Sequence, residues 1–224
     1  MKYTKFFIIL AVLLLFATGC ATESSRTVAG TETQASRRVY TGPRSAIIVG
    51  RFENRSDFMR GIFSDGEDRL GGQAKTVLIS HLNMTNRFTV LDRDNMEQAL
   101  REAQIRGTVQ QLQGATHIVT GDVTEFGRRE VSDMQFFGLF GRGKRQMAYT
   151  KVMLNVVDIR TSAIVYTVQG AGEYILSDRE VMGFGTSAGY DSTLNGKVLD
   201  LAIREAVDRL AEAIDEGAVV LAGR

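Results

Sequence analysis

Apolar positions along this chain change their spacing several times, and each change marks an element. Ser45-Ala-Ile-Ile-Val-Gly-Arg-Phe52 is almost continuously apolar and reads as a buried strand. An irregular stretch from Glu53 to Gly66 comes next, holding Phe58, Ile62 and Phe63. Leu70, Ala74, Val77, Leu78, His81 and Leu82 then recur at the three-and-four spacing of one helix face. Phe88 to Leu91 predicts a short strand. Asp94 is placed to cap a second helix, with Glu97 three residues on, and Met96, Leu100 and Ala103 would form its inner stripe. His117–Thr124 and Val152–Ile159 alternate toward strands, and Ile164–Val168 pairs with the latter across Arg160-Thr161-Ser162-Ala163. The last element is a long helix starting near Asn195 or Gly196, with Leu199, Ile203, Val207, Leu210 and Ile214 on one face. The order β-α-β-α-β-loop-β-β-loop-α predicts an α/β fold, a mixed β-sheet flanked by helices in a single domain.

The first twenty residues obey another logic. Lys2 and Lys5 precede an apolar run from Phe6 to Phe16, and Ala17-Thr18-Gly19-Cys20 closes it. A basic start, a short apolar core and small residues make a secretory signal. The run is shorter than the ~20 apolar residues that span a bilayer. The chain's single cysteine sits where the small residues end. The arrangement resembles a bacterial lipobox, in which the cysteine thiol is acylated and the preceding peptide removed. Ala17 occupies a position more often held by Leu, and an ordinary signal peptide beside an unrelated cysteine is the alternative. Residues 1–19 are thus expected to be a leader, 20–42 a polar tether from lipidated Cys20, and 43–224 the α/β domain, with Pro43 at its opening. By resemblance to enterobacterial sorting, Ala21 in place of Asp points to the outer membrane, with the domain in the periplasm.

Charge narrows the partners. The chain has 27 Lys and Arg against 26 Asp and Glu, and residues 1–19 carry two of the lysines and no acid. The chain from Cys20 onward is therefore within one charge of neutral, which gives no global electrostatic case for nucleic acid or for anionic lipid. With no second cysteine, no disulfide can form within the chain.

Candidate chemistry is sparse. His81 lies on an apolar helix face and His117 opens a strand, so both read as structural, and two isolated histidines do not make a zinc site. The carboxylates of Asp92 and Asp94 stand at a helix start, where capping accounts for them. Gly183-Phe-Gly-Thr-Ser-Ala-Gly189 lacks the Lys-Ser/Thr ending of a phosphate loop. The sequence is expected to be neither an enzyme nor a holder of metal or cofactor.

A resemblance runs through most of the domain. It is carried by Ile47-Ile-Val-Gly-Arg-Phe-Glu-Asn54, Arg87-Phe-Thr-Val-Leu-Asp-Arg93 with Met96-Glu-Gln-Ala-Leu100, and Ala115-Thr-His-Ile-Val-Thr-Gly121. Phe136-Phe-Gly-Leu139 and Leu154-Asn-Val-Val-Asp-Ile-Arg-Thr161 continue it. In order and interval these segments resemble the CsgG-like family, the outer-membrane lipoproteins of curli secretion. The resemblance implies a periplasmic α/β domain whose copies form a ring, each giving two long β-hairpins to one transmembrane barrel. It maps a pore-narrowing loop onto residues 53–66, with Phe58, Ile62 and Phe63 as the constriction. It maps the hairpins onto 128–150 and 173–193, with Phe136, Phe137, Leu139, Phe140, Phe184 and Tyr190 as membrane-facing side chains. A barrel strand needs ~9–11 alternating residues. Residues 125–150 have the length, although Arg142 and Lys144 fall on one face and Arg145 on the other. The function implied is a homo-oligomeric ring that exports or displays a secreted polypeptide. The alternative is a non-channel lipoprotein, a binding, scaffold or activator module for an envelope partner protein.

The lipid anchor is open to a direct check. Intact-mass analysis of the membrane-extracted protein should show a chain beginning at Cys20 with acyl chains attached, and Cys20→Ser should abolish the added mass.

Overall fold

The residues described in this computed structural model are 32–58, 68–134, 142–180 and 194–221. Within the unit Thr31–Arg224 they form β1 (Ser45–Asn54), α1 (Arg69–Met84), β2 (Phe88–Val90), α2 (Met96–Ile105), β3 (His117–Met134), β4 (Arg142–Asp158), β5 (Ile164–Glu180) and α3 (Leu194–Asp215). The strand order is β2-β1-β3-β4-β5. β1 runs parallel to β2 and β3, whereas β3, β4 and β5 are antiparallel. The fold is therefore the mixed α/β arrangement that the spacing predicts.

α1 and α3 lie against each other and against the sheet. The predicted stripe of α1 is buried at Leu70, Ala74, Leu78, His81 and Leu82. On α3, Leu199, Ile203, Val207 and Leu210 are fully buried, and Ile214 packs at the edge of the same cluster. The sheet meets them through Ile47 of β1, Val119 and Val123 of β3, Val152, Leu154 and Val156 of β4, and Val168 of β5. Alternate residues of each strand supply that face, as a pleated strand requires.

Two glycines set how closely α3 approaches. A Cβ on Gly170 would lie 2.1 Å from the carbonyl oxygen of Ala202, and one on Gly172 would lie 2.6 Å from that of Val198. Both stand on the inner face of β5, two residues apart, opposite small residues of the helix. The absence of two side chains thus lets backbone meet backbone, and no larger residue fits at Gly170 without moving the helix.

β3 carries one extra residue. Val123 pairs with Val152 but Glu125 pairs with Lys151, so Thr124 has no partner. Up to Val123 the odd-numbered residues face the helices; beyond it Phe126 takes that role. Such a bulge shifts the phase of the alternation.

A second organising feature is Arg87, whose side chain is 1% exposed. Its Nε donates to Asp215 Oδ1 at 2.8 Å and its Nη2 to Asp215 Oδ2 at 2.5 Å. Its Nη1 donates to the carbonyls of Thr85 and Ala35 at 2.7 and 3.2 Å. The Tyr40 ring covers it at 4.9 Å. Asn86, with φ of 58°, makes the left-handed turn that takes the chain from α1 to Arg87.

Three expectations are corrected in detail. The last part of the presumed tether is an ordered strap: Thr33 and Ala35 are buried and Ala35–Arg37 form one turn of 3₁₀ helix. The packed region therefore begins about ten residues before Pro43, because Asp208 on α3 accepts from the amides of Gln34 and Ala35 at 3.1 and 2.8 Å. Asp94 does not cap α2. The carboxylate of Asp92 receives the amides of Asp94 and Asn95 instead, and Asp94 pairs with Lys75 at 2.5 Å. The stripe of α2 is not an inner one: no α2 residue is buried, and Met96 and Leu100 are 39% and 46% exposed.

Removing one partner of a buried ion pair leaves the other uncompensated, so Arg87→Ala should cost roughly 3–5 kcal/mol of unfolding free energy. Gly170→Ala should cost about 1–3 kcal/mol through overpacking. Gly72→Ala, where an added Cβ meets nothing within 4 Å, should stabilise α1 by up to ~1 kcal/mol. Urea titrations of the three variants check both the order and the signs.

Candidate functional site

β3, β4 and β5 are 18, 17 and 17 residues long, far longer than the helices can cover. Among the residues whose side chains are described, the last rung with a fully buried residue is Arg128–Ala148–Tyr174. Pairing then continues without interruption to Met134–Arg142–Glu180. At about 3.3 Å per residue the paired strands run on for about 20 Å beyond that rung. We call this projection the arm.

Its root is fixed on several sides. Arg128 Nη1 donates to Asn195 Oδ1 at 3.3 Å, and the Lys197 ammonium lies 5.3 Å from the Tyr174 ring centre. Both tie the arm to the start of α3. On the opposite face the Tyr149 ring covers Gly127, so that a Cβ there would lie 2.3 Å from Cε1. Thr150 Oγ1 donates to the Glu125 carbonyl at 2.8 Å, which holds the strand edges together at the bulge.

Phe58 belongs to the same root. Asn54 folds the chain after β1 into a turn, its Oδ1 accepting from the Ser56 amide and hydroxyl at 3.1 and 2.6 Å. Its Nδ2 donates to the Phe58 carbonyl at 2.8 Å. The Phe58 ring then stacks on Phe126, 4.3 Å between centres and tilted by 33°. Of the sequence-derived candidates, Phe58 is the one within the described residues. Cys20, Ile62, Phe63, Phe136, Phe137, Leu139, Phe140, Phe184 and Tyr190 lie outside them.

The other end of the sheet holds the strap. Its carbonyl at Ala35 meets Arg87, and Arg38 approaches Glu212 of α3 at 3.4 Å. Ser36 to Gly42, with Arg44 and Asn86, line a concavity of about 420 Å³. Because β3 starts at this end and runs to the arm tip, strap and tip are separated by the whole of β3, about 60 Å at 3.3 Å per residue.

The two histidines occupy structural positions. His81, almost wholly buried, meets Asp200 through Nε2 at 2.8 Å and joins α1 to α3; its Nδ1 has no hydrogen-bond partner among the described residues. His117 contacts Thr116 Oγ1 through Nδ1 at 2.9 Å. Burial lowers the pKa of His117 below the usual histidine value, and the facing Asp158 offsets only part of this. Asp158 is itself held below the ordinary carboxylate range by the Thr161 amide first, with the Thr161 hydroxyl and the Arg160 amide adding to it. That carboxylate closes the predicted β4–β5 turn. No group of three or more His, Cys, Asp or Glu arranged to hold a metal occurs among the described residues.

The chain belongs to the family described as curli production assembly/transport component CsgG, whose model matches residues 29–220. A protein of Neisseria meningitidis serogroup B named "Putative lipoprotein NMB1126/NMB1164" is 57% identical over 218 residues, 97% of this chain and 98% of its own. Among solved structures, a Helicobacter pylori protein described as a "putative neuraminyllactose-binding hemagglutinin homolog" is 10% identical, covering 85% of this chain and 92% of that one, with a TM-score of 0.43. The PelC dodecamer of Paraburkholderia phytofirmans is 11% identical, covering 82% and 95%, with a TM-score of 0.35. Scores at this level carry no argument about how the present chain acts.

The histidine gives a pH prediction. A histidine whose pKa falls on folding binds fewer protons folded than unfolded, so its contribution to stability is complete above about 6.5 and declines as pH falls below that value. Melting temperature measured between pH 8 and 5 should fall toward acid, and His117→Gln should flatten the curve.

Proposed function

We propose that this protein is a lipid-anchored envelope protein that works by contact. Its arm would meet another envelope or secreted polypeptide, without catalysis or a cofactor. Family membership, the lipoprotein name of the 57% identical relative and the leader expected over residues 1–19, ahead of Cys20, support the envelope setting. The observation that carries the contact reading is the charge of the arm. Arg128, Glu130, Arg142 and Lys144 occupy one parity of the paired strands, and Arg129, Asp133 and Arg145 the other. Neither parity is apolar. An Arg or Lys facing lipid costs about 2–4 kcal/mol near the bilayer midplane, so several of them oppose a lipid-facing wall. In water the same residues are at ease, and the register sets Arg142 against Glu180 and Lys144 against Asp178.

A second reading, the export ring in the outer membrane, is favoured by the reach of the arm. With its connecting loop it approaches the ~25 Å apolar band of a transmembrane barrel. In that reading the loop after β1 narrows the passage. The Phe58–Phe126 stack then buttresses the loop, and the narrowing falls to residues further along it, Ile62 and Phe63 among them.

Cysteines placed singly at neighbouring arm positions separate the two readings. In the lipidated protein reconstituted in liposomes, Val131→Cys and Ser132→Cys should both react fully with a water-soluble maleimide. Protection of one parity, together with a large steady conductance in a planar bilayer, would overturn the contact reading and establish the ring.

A further inference from the structure

From Thr33 to Phe52 the chain has no acidic residue and carries Arg37, Arg38, Arg44 and Arg51. Three of these arginines line one concavity, the one formed by Ser36–Gly42, Arg44 and Asn86. The concavity is lined by these three cations and no acid, with Glu32, Asp208 and Glu212 at its border. It is also built, not loose. Arg44 directs Nε and Nη2 onto the Phe88 carbonyl at 3.0 and 2.6 Å, and its guanidinium has five donors in all. Tyr40 is held beneath by Arg87, and its hydroxyl donates to the Pro43 carbonyl at 3.2 Å. Arg37 and Arg38 have only exposed acidic neighbours, Glu32 at 3.7 Å and Glu212 at 3.4 Å. Exposed pairs of that kind contribute little and exchange readily for another anion.

Between Arg38 and Tyr40 stands Val39, 92% exposed. An outward apolar residue flanked by arginine and tyrosine has the composition of a membrane interface, where the apolar group enters the headgroup boundary and the cations meet phosphate. The chain's path agrees. Residues 21–32 separate Cys20 from the strap, and fully extended they reach about 40 Å, so a lipid on Cys20 keeps the strap within reach of the bilayer surface.

We infer that the concave face of the strap is a second membrane contact, in which Arg37, Arg38 and Arg44 take the phosphates of lipid headgroups while Val39 enters the interface. This rests on the lipid-anchor part of the proposed function and deepens it. With the strap on the bilayer, the arm at the far end of β3 points away from that membrane.

The test uses the chain from residue 20 onward with Cys20→Ser, which removes the acyl anchor, so that the contribution of the strap is read from its own variants. It is sedimented with vesicles of phosphatidylethanolamine and phosphatidylglycerol, and with vesicles of phosphatidylcholine alone. Retention is expected on the anionic vesicles. Each arginine near an anionic surface contributes about a fivefold change, so Arg37→Gln, Arg38→Gln and Arg44→Gln together should weaken retention on the order of 100-fold. Val39→Asp, at a site too exposed to disturb folding, should weaken it as well, whereas Arg101→Gln on α2 should not. Unchanged retention in the triple variant and in Val39→Asp, or no retention at all, overturns the inference. Saturable binding of inorganic phosphate without vesicle retention overturns the lipid assignment in favour of a soluble anion. The acyl mass of the native protein is read separately. If acylation is absent but strap-dependent retention persists, the anchor fails and the strap stands.

Discussion

A guanidinium buried to 1% exposure dictates much of what surrounds it. Stripped of water, Arg87 must find acceptors in nearly every direction, and it finds them on pieces of chain far apart in sequence. Asp215 closes α3, Thr85 closes α1, and Ala35 belongs to the strap. One residue thus brings the two core helices and the N-terminal strap to the same end of the sheet. Breaking such a pair is costly, since either partner alone is left uncompensated. Loss of Asp215 or displacement of the strap would leave charge or carbonyl unsatisfied in the core.

The opposite boundary of the molecule arises from absence of bulk. Gly170 and Gly172 let α3 lie directly on β5, and α3 then reaches only as far as Asn195 and Lys197 at the arm root. Beyond that line no helix among the described residues covers the strands, and the sequence there turns charged. The molecule accordingly has two unlike ends on one continuous sheet: a cationic strap tied to α3 and a long, charged β-arm. A rigid shared strand, β3, fixes their separation. If the strap rests on a bilayer, the arm's partner lies away from that membrane; if the arm enters a bilayer, the strap faces away from it.

Much of the fold is legible in the residues alone. The stripes of α1 and α3 and the strands of the core can be read from spacing, because burial there is decided by period. The turn at Arg160–Ala163 is legible from its polar small residues, and Asp158 caps it as such turns require. The stripe of α2 misleads because amphipathic spacing reports a face able to be buried, not one that is. Asp94 misleads in the same way: three carboxylates and amides compete at that helix start, and Lys75 on a neighbouring helix decides the outcome. The strap escapes detection because its order comes from Asp208, Arg87 and Glu212, more than fifty residues away, and nothing in its own polar sequence announces them. The arm's extent is equally hidden, since charged residues without strong strand preference are held in register by the core part of the same strands. Of the candidate constriction, Phe58 shows its packing partner Phe126, which no local pattern could have named.

Thr124 gives the arm a reading frame. Because this single unpaired residue offsets β3 against β4, every residue beyond it presents the side opposite to the one that simple counting from the core would assign. Deleting Thr124 would restore a regular ladder, with Phe126 still opposite Thr150 and Arg128 still opposite Ala148, so the surplus residue is absorbed at the bulge and the two surfaces of the arm are kept. The bulge thus lets the base of the arm absorb a one-residue change in length without altering what the arm displays.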